Sequence, residues 1–223
     1  MANLYRLTAA WCAAVCACSA AAKLPGDAAQ LIPVLRSEIA THWPDVAPRT
    51  WIPAVIEQES LWRIRAQLKT DRELGCGLGQ FTKAFNADGT VRFDALTETK
   101  RLDPSLAGWD WRDCANAQYQ LRGVVLKLKV NERQCAPLMA TNRDVKACNG
   151  GMYNGGGGSV TKRIRACQVQ AGCNPRVWFG HLDQQCPQSK VKHAGYGESF
   201  CDINSKYPLR VEARQAKYEE VMK

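Results

Sequence analysis

One carboxylate stands out for its setting. Thr50 reads as a helix N-cap and Pro53 as a first-turn residue, and Ile52, Val55, Ile56 and Glu59 recur at i, i+3, i+4 and i+7, which is one face of a helix. Glu59 therefore ends an apolar stripe. A carboxyl pressed against apolar side chains is disfavoured as an anion, so its pKa rises and it can stay protonated near neutrality, as a general acid must. Glu57, two residues earlier, points away from that face. Eighteen residues after Glu59 comes Gly77-Leu78-Gly79-Gln80-Phe81. Two glycines there let backbone or ligand approach closely, and the Gln80 amide offers both a donor and an acceptor, which suits an edge that binds sugar. Between them lie Asp71 and Glu73, each readable as a surface acid or as a second carboxylate near a cleft.

A third segment, Met152-Tyr153-Asn154-Gly155-Gly156-Gly157-Gly158-Ser159-Val160, follows much later. With Glu59-Ser60-Leu61-Trp62 and Gly77-Leu78-Gly79-Gln80-Phe81 it resembles, in the same order, the three motifs of the lytic transglycosylase family. That family belongs to the lysozyme superfamily, cuts the glycan strands of peptidoglycan and includes phage endolysins. The resemblance implies a lysozyme-like, mainly α-helical α+β domain over residues 23–223. It implies that Glu59 serves alone as acid and then base, leaving a 1,6-anhydro sugar, with no metal and no organic cofactor. Ser60, Gln80, Tyr153 and Asn154 would position the sugar, Tyr153 near the acid and Asn154 on an N-acetyl group. The chain departs from the family in its long polar run Arg63–Glu73, where many members have Asn-Pro and a shorter gap.

Most glycosidases flank the scissile bond with two carboxylates, and only one here falls inside a motif. Two neighbouring functions stay open. A hydrolytic muramidase similar to goose-type lysozyme would use Asp71 or Glu73 to position water. A protein that binds the wall without cutting it would use neither. The formal charge is +9, and removing residues 1–22, whose only charge is Arg6, leaves +8, enough to attract anionic polymers in a salt-dependent way. Lysines and arginines are scattered without interleaved aromatics, which disfavours nucleic acid, and the resemblance implies peptidoglycan as the partner of a monomer. Salt-dependent duplex binding unaffected by loss of Glu59 would be the mark of the nucleic-acid reading.

Arg6 followed by the uncharged, Ala- and Cys-rich run Leu7–Ala22, and then Lys23, reads as an export signal over residues 1–22. Cys18 could instead be a lipidation site, or residues 7–22 a releasable membrane tether. As a helix the run reaches about 24 Å, short of the roughly 30 Å hydrocarbon core. Of eleven cysteines, Cys12, Cys16 and Cys18 lie in this leader. The other eight, Cys76, Cys114, Cys135, Cys148, Cys167, Cys173, Cys186 and Cys201, contain no Cys-x-x-Cys and read as up to four disulfides of an exported, periplasmic or envelope protein, with their pairing open. A zinc set of Cys173, His181, Cys186 and His193 matches no compact zinc spacing.

A chain of 223 residues that is 46% hydrophobic can bury one sizeable core. Leu31, Val34, Leu35 and Ile39 predict a packing helix over Asp27–Trp43, with Pro33 near its first turn. Arg63–Glu73 reads as loop or short strands, Phe81–Phe85 as a short helix, and Asn86–Gly89 as a turn. Trp109 and Trp111 read as core anchors or as a platform for sugar faces. Ala117, Leu121, Val124, Val125 and Leu128 predict the longest helix, from Asp113 to about Arg133. Cys148–Ser159, six of whose residues are glycine, reads as a loop where backbone runs close to a ligand or a neighbouring segment. Val160, Ile164 and Cys167 begin a further helix ending near Gly172. Residues 173–207 read as disulfide-tied loop, and Leu209–Lys223 as an exposed terminal helix.

Overall fold

In the computed structural model, which describes residues 23–192 and 197–223, helices dominate and one small sheet sits among them, a mainly helical α+β arrangement. The expected leader, its tether over residues 7–22, and His193 lie outside the described residues. Among the described residues, no helix is long and apolar enough to cross a membrane.

Helix α1 (Ala28–His42) buries Leu31, Ile32, Leu35 and Ile39, as its spacing predicts, although Pro33 falls inside it, past the first turn. Helix α2 (Trp51–Ser60) buries every residue from Trp51 to Glu57. A helix buried on all its faces is a central element, with neighbours on several sides. Thr50 holds the N-cap position, but its hydroxyl donates to Gln215 Oε1 at 2.9 Å instead of capping α2. Glu57 does turn away from the Glu59 face, into a buried knot. It accepts from the Tyr218 hydroxyl at 2.7 Å and from Lys217, and Trp62 Nε1 donates to the same Tyr218 oxygen at 2.8 Å.

Strands β1 (Gln67–Lys69), β2 (Glu73–Cys76), β3 (Phe81–Phe85) and β4 (Val91–Asp94) form an antiparallel meander in chain order. Phe81–Phe85 is thus a strand, not the expected helix. Five residues with Phe81 and Ala84 buried are too few for periodicity to separate the two, and the ladder to β2, with Cys76 opposite Phe81, decides. Asp94 then caps α3 (Ala95–Lys100) by accepting from Thr97 N at 2.9 Å.

Helix α4 (Ala117–Cys135) is the longest described, at 19 residues, and Asn116 caps it, three residues beyond the expected start. It packs on both α1 and α5 (Asn142–Gly155). The glycine-rich stretch is a correction: it is mostly helix, completing α5, breaking at Gly156 and opening α6 (Gly157–Gln168). Three of its glycines, Gly150, Gly151 and Gly155, serve close packing. A Cβ on Gly151 would lie 2.2 Å from the Trp178 ring, and one on Gly150 would sit 3.3 Å from Trp51 and Tyr207.

Residues 173–207 are corrected in part, because α7 (Phe200–Glu212) begins inside them, with Ser199 and Asp202 forming a reciprocal capping box. The C-terminal stretch is also more buried than expected. Val211, Tyr218 and Met222 belong to the main core, together with Leu35, Ile56, Trp62, Phe81 and Val124. A second apolar cluster gathers Met139, Met152, Val160, Trp178 and Leu182 around paired cysteines. All eight cysteines of residues 23–223 are bonded, as Cys76–Cys114, Cys135–Cys148, Cys167–Cys173 and Cys186–Cys201. That fits maturation in an oxidising, export-type compartment. It also commits Cys173 and Cys186 to sulfur partners instead of a metal.

Candidate active site

Glu59 sits in the last turn of α2, just before two consecutive left-handed residues, Leu61 at φ 52° and Trp62 at φ 60°. Such conformations in non-glycine residues cost on the order of 1 kcal/mol each and persist where the surroundings over-determine them. Here the restraints are the full burial of Trp62, its bond to Tyr218, and Asp27 N donating to Trp62 O at 3.1 Å. Gln80, at φ 44°, is the third positive-φ non-glycine residue described.

The Gly77–Phe81 turn is held from below by a residue the sequence reading missed. Gln120 of α4 is fully buried; its Oε1 accepts from Leu78 N, and its Nε2 donates to Cys114 O at 2.7 Å. Gly77 has φ +74°, and any Cβ there would collide with the Gln120 amide. Gly79 meets Tyr153 of α5, whose hydroxyl donates to Gly79 O at 2.9 Å. A Cβ at Gly79 would lie 2.7 Å from that hydroxyl, so the close approach requires glycine.

Around Glu59 the structure gathers side chains from three further helices. The Tyr207 hydroxyl of α7 donates to Glu59 Oε1. Lys127 of α4 interacts electrostatically with the carboxyl, and its Nζ lies 4.4 Å from the centre of the Tyr153 ring. Glu59 keeps part of its surface open, yet dense packing on its other sides raises its pKa to about 7, against the lowering pull of Tyr207 and Lys127. Burial, above all, also holds Tyr153 and Tyr207 protonated well above the usual phenol range. Burial lowers the Lys127 pKa, and the nearby charges of Glu59 and Glu98 oppose that shift.

The other expected site residues divide. Tyr153 does lie beside the acid. Asn154 is exposed at the end of α5, with its Oδ1 held by Asn204 Nδ2 at 3.1 Å. Gln80 is half-buried and its Nε2 is used within its own turn, donating to Gly77 O at 2.9 Å and Ala66 O at 3.3 Å, which leaves Oε1 as the atom to offer. Ser60 is buried, and its hydroxyl donates back to Ile56 O at 3.1 Å, so it shapes the helix end instead of facing the cleft. Asp71 is exposed, and Glu73 pairs with Arg92 at 3.4 Å; neither is among the groups that act on the Glu59 carboxyl, which are Tyr207 and Lys127. Trp109 is fully buried, edge-on to Phe81 at 4.8 Å, and Trp111 Nε1 donates to Asp94 Oδ2 at 2.9 Å. Trp109 is thus a core anchor, and Trp111 is half-buried and tied to the sheet through Asp94.

Tyr207 and Lys127 carry weak sequence signals. Ser199-x-x-Asp202 announces a helix that would carry Tyr207, and Lys127 interrupts the apolar face of α4 beside Val124 and Leu128. Two cavities, about 300 Å³ beside Trp51 and Phe179 and about 500 Å³ along Arg63–Gln67, lie elsewhere; Glu59 lines neither.

The raised pKa has a consequence for stability. The folded protein holds the Glu59 proton more tightly than the unfolded chain, whose value is near 4.5. That contribution is complete below pH 4.5 and is lost as pH rises through about 7. At about 1.4 kcal/mol per unit the loss approaches ~3 kcal/mol. Denaturant unfolding of the parent and Glu59→Gln at pH 5 and pH 8 checks it. The variant is expected to gain on the parent by up to that amount at the higher pH, and an equal gap at both would contradict it.

No known protein-family profile matches this sequence, and a search of curated proteins returns no significant match.

Proposed function

We propose that this protein is a lysozyme-like lytic transglycosylase that cuts the MurNAc-β-1,4-GlcNAc bond of peptidoglycan. What supports the reading is a half-buried carboxyl whose pKa is pushed up to about 7 by the packing around it, with Tyr153 of α5 beside it and the Gly77–Phe81 turn bonded to that tyrosine.

Protonated Glu59 gives its proton to the glycosidic oxygen as the C1–O4 bond breaks, and the substrate's own N-acetyl group stabilises the positive charge developing at C1. Tyr207 assists here, because its hydroxyl bonds more strongly to the carboxylate left behind than to the neutral acid. The carboxylate then takes the proton of the muramyl C6 hydroxyl, O6 closes on C1, and Glu59 is again protonated. Water takes no part, and the chemistry calls for no metal or organic cofactor. The basic surface suits a substrate bearing stem-peptide carboxylates. Four disulfides are consistent with action in the periplasm or envelope.

A hydrolytic muramidase, in which water takes the place of the C6 hydroxyl, is the second reading. Mass spectrometry of digested sacculi separates the readings. Anhydro-muramyl ends are expected, and reducing ends would overturn the transglycosylase assignment in favour of hydrolysis.

A further inference from the structure

Arg163 of α6 is fully buried without a carboxylate among its hydrogen-bond partners. Its Nη1 donates to Leu182 O at 2.9 Å, Asp183 O at 3.3 Å and Ser205 Oγ at 3.1 Å, and its Nη2 donates to Asn204 Oδ1 at 2.9 Å and Gln188 Oε1 at 3.3 Å. The nearby Asp183 charge offsets only part of the cost of burying this cation, so the oxygens it aligns are worth following.

Asn204 of α7 is the one that reaches the site. An arginine side chain has donors and no acceptor, so the Asn204 amide can face it only with its oxygen. The amide nitrogen must then point the other way, where it donates to Gly151 O at 3.2 Å and to Asn154 Oδ1 at 3.1 Å. Both acceptors demand the same orientation as Arg163 does. Asn204 is itself 2% exposed, and turning its amide over would set its nitrogen against the Arg163 guanidinium and its oxygen against Gly151 O. With the Asn154 oxygen taken up in this way, the exposed face of Asn154 is its NH2 group.

We propose that Asn204, locked by Arg163, is a positioning residue that sets the polarity of Asn154, so that the site accepts a carbonyl oxygen such as that of an acetamido sugar and disfavours a donor there. The sugar part of this inference rests on the function proposed above; the orientation of Asn154 does not. The informative variant is Asn204→Asp. Its carboxylate still satisfies Arg163 and fills the same volume, but it can only accept, so the Asn154 amide turns over and offers its oxygen outward.

Two measurements test it. Binding of tri-N-acetylchitotriose and of its de-N-acetylated counterpart is compared by calorimetry for the parent and for Asn204→Asp. The parent is expected to favour the acetylated trimer, and the variant to lose about tenfold of that preference, roughly one well-placed hydrogen bond. In an Asn154→Ala background Asn204→Asp is expected to change the preference no further. NMR hydrogen exchange of the side-chain amides gives the independent readout: in the parent, Asn204 NH2 protected and Asn154 NH2 solvent-exchanging, and in the variant Asn154 NH2 protected. An unchanged preference in a folded variant, or the same loss in the Asn154→Ala background, overturns the proposal while peptidoglycan cleavage by the parent still upholds the function. A parent that neither binds nor cleaves sugar overturns the function and the sugar part together, and amide exchange then decides the orientation alone.

Discussion

Glu59→Gln is expected to clear peptidoglycan at least ~10³-fold more slowly than the parent, because one side chain supplies both proton transfers and each such transfer contributes about 10²–10⁴-fold. The substitution is nearly isosteric. Its amide oxygen can still accept from Tyr207, and Lys127 and Tyr153 keep their places around it. A loss of turnover with unimpaired folding is therefore attributable to the proton. Turbidity clearing of sacculi by the two proteins side by side, with sedimentation to measure how much of each stays bound, gives the answer. Parental clearing by the variant would remove Glu59 as the catalytic acid, and equal binding with no clearing by either protein would leave a wall-binding protein.

Removing the Cys76–Cys114 bridge is expected to destabilise the fold by about 4 kcal/mol, a large share of the ~5–15 kcal/mol typical of a folded domain. The bridge closes a loop of sequence separation 38 in the unfolded chain, whereas Cys167–Cys173 closes one of only 6. Chain entropy predicts about 2 kcal/mol for the shorter loop. In a protein of this size the first loss corresponds to a fall in Tm of roughly 8–16 °C. The paired alanine variants at each bridge, compared by denaturant unfolding, test the ranking; equal or inverted losses would show that restraint of the unfolded chain is not the main cause. A local effect adds to the global one. Cys76 ends β2 directly before Gly77, and Cys114 O is one of the acceptors that fix Gln120 beneath the same turn. The Cys76–Cys114 variant should therefore lose sugar affinity even at temperatures where it remains folded.

Helices with regular apolar faces were legible in the sequence, because periodicity reports burial directly when an element runs to about three turns or more. That covers α1, α2, α4 and α6. Elements whose identity depends on a partner were not. Phe81–Phe85 becomes a strand only because Glu73–Cys76 lies alongside, and Gly150 and Gly151 look like loop until Tyr207 and Trp178 are seen filling the space their missing side chains leave. The acid's elevated pKa could be argued from its position at the end of a stripe. Its companions could not, since Tyr207 and Lys127 come from helices whose approach to α2 is a matter of packing. Ser60 shows the reverse error: a residue matched by motif spends its hydroxyl on its own helix.

Two acids two residues apart on α2 live in opposite worlds. Glu59 is the labile one, while Glu57 is moored to Lys217 and Tyr218, near the end of the chain. Tyr218 also steadies Trp62, where the backbone leaves the helix in its left-handed stretch. The Glu59 end of α2 thus stands on a keel drawn from residues more than 150 positions further along the chain, so it gains its mooring only after those residues have been made.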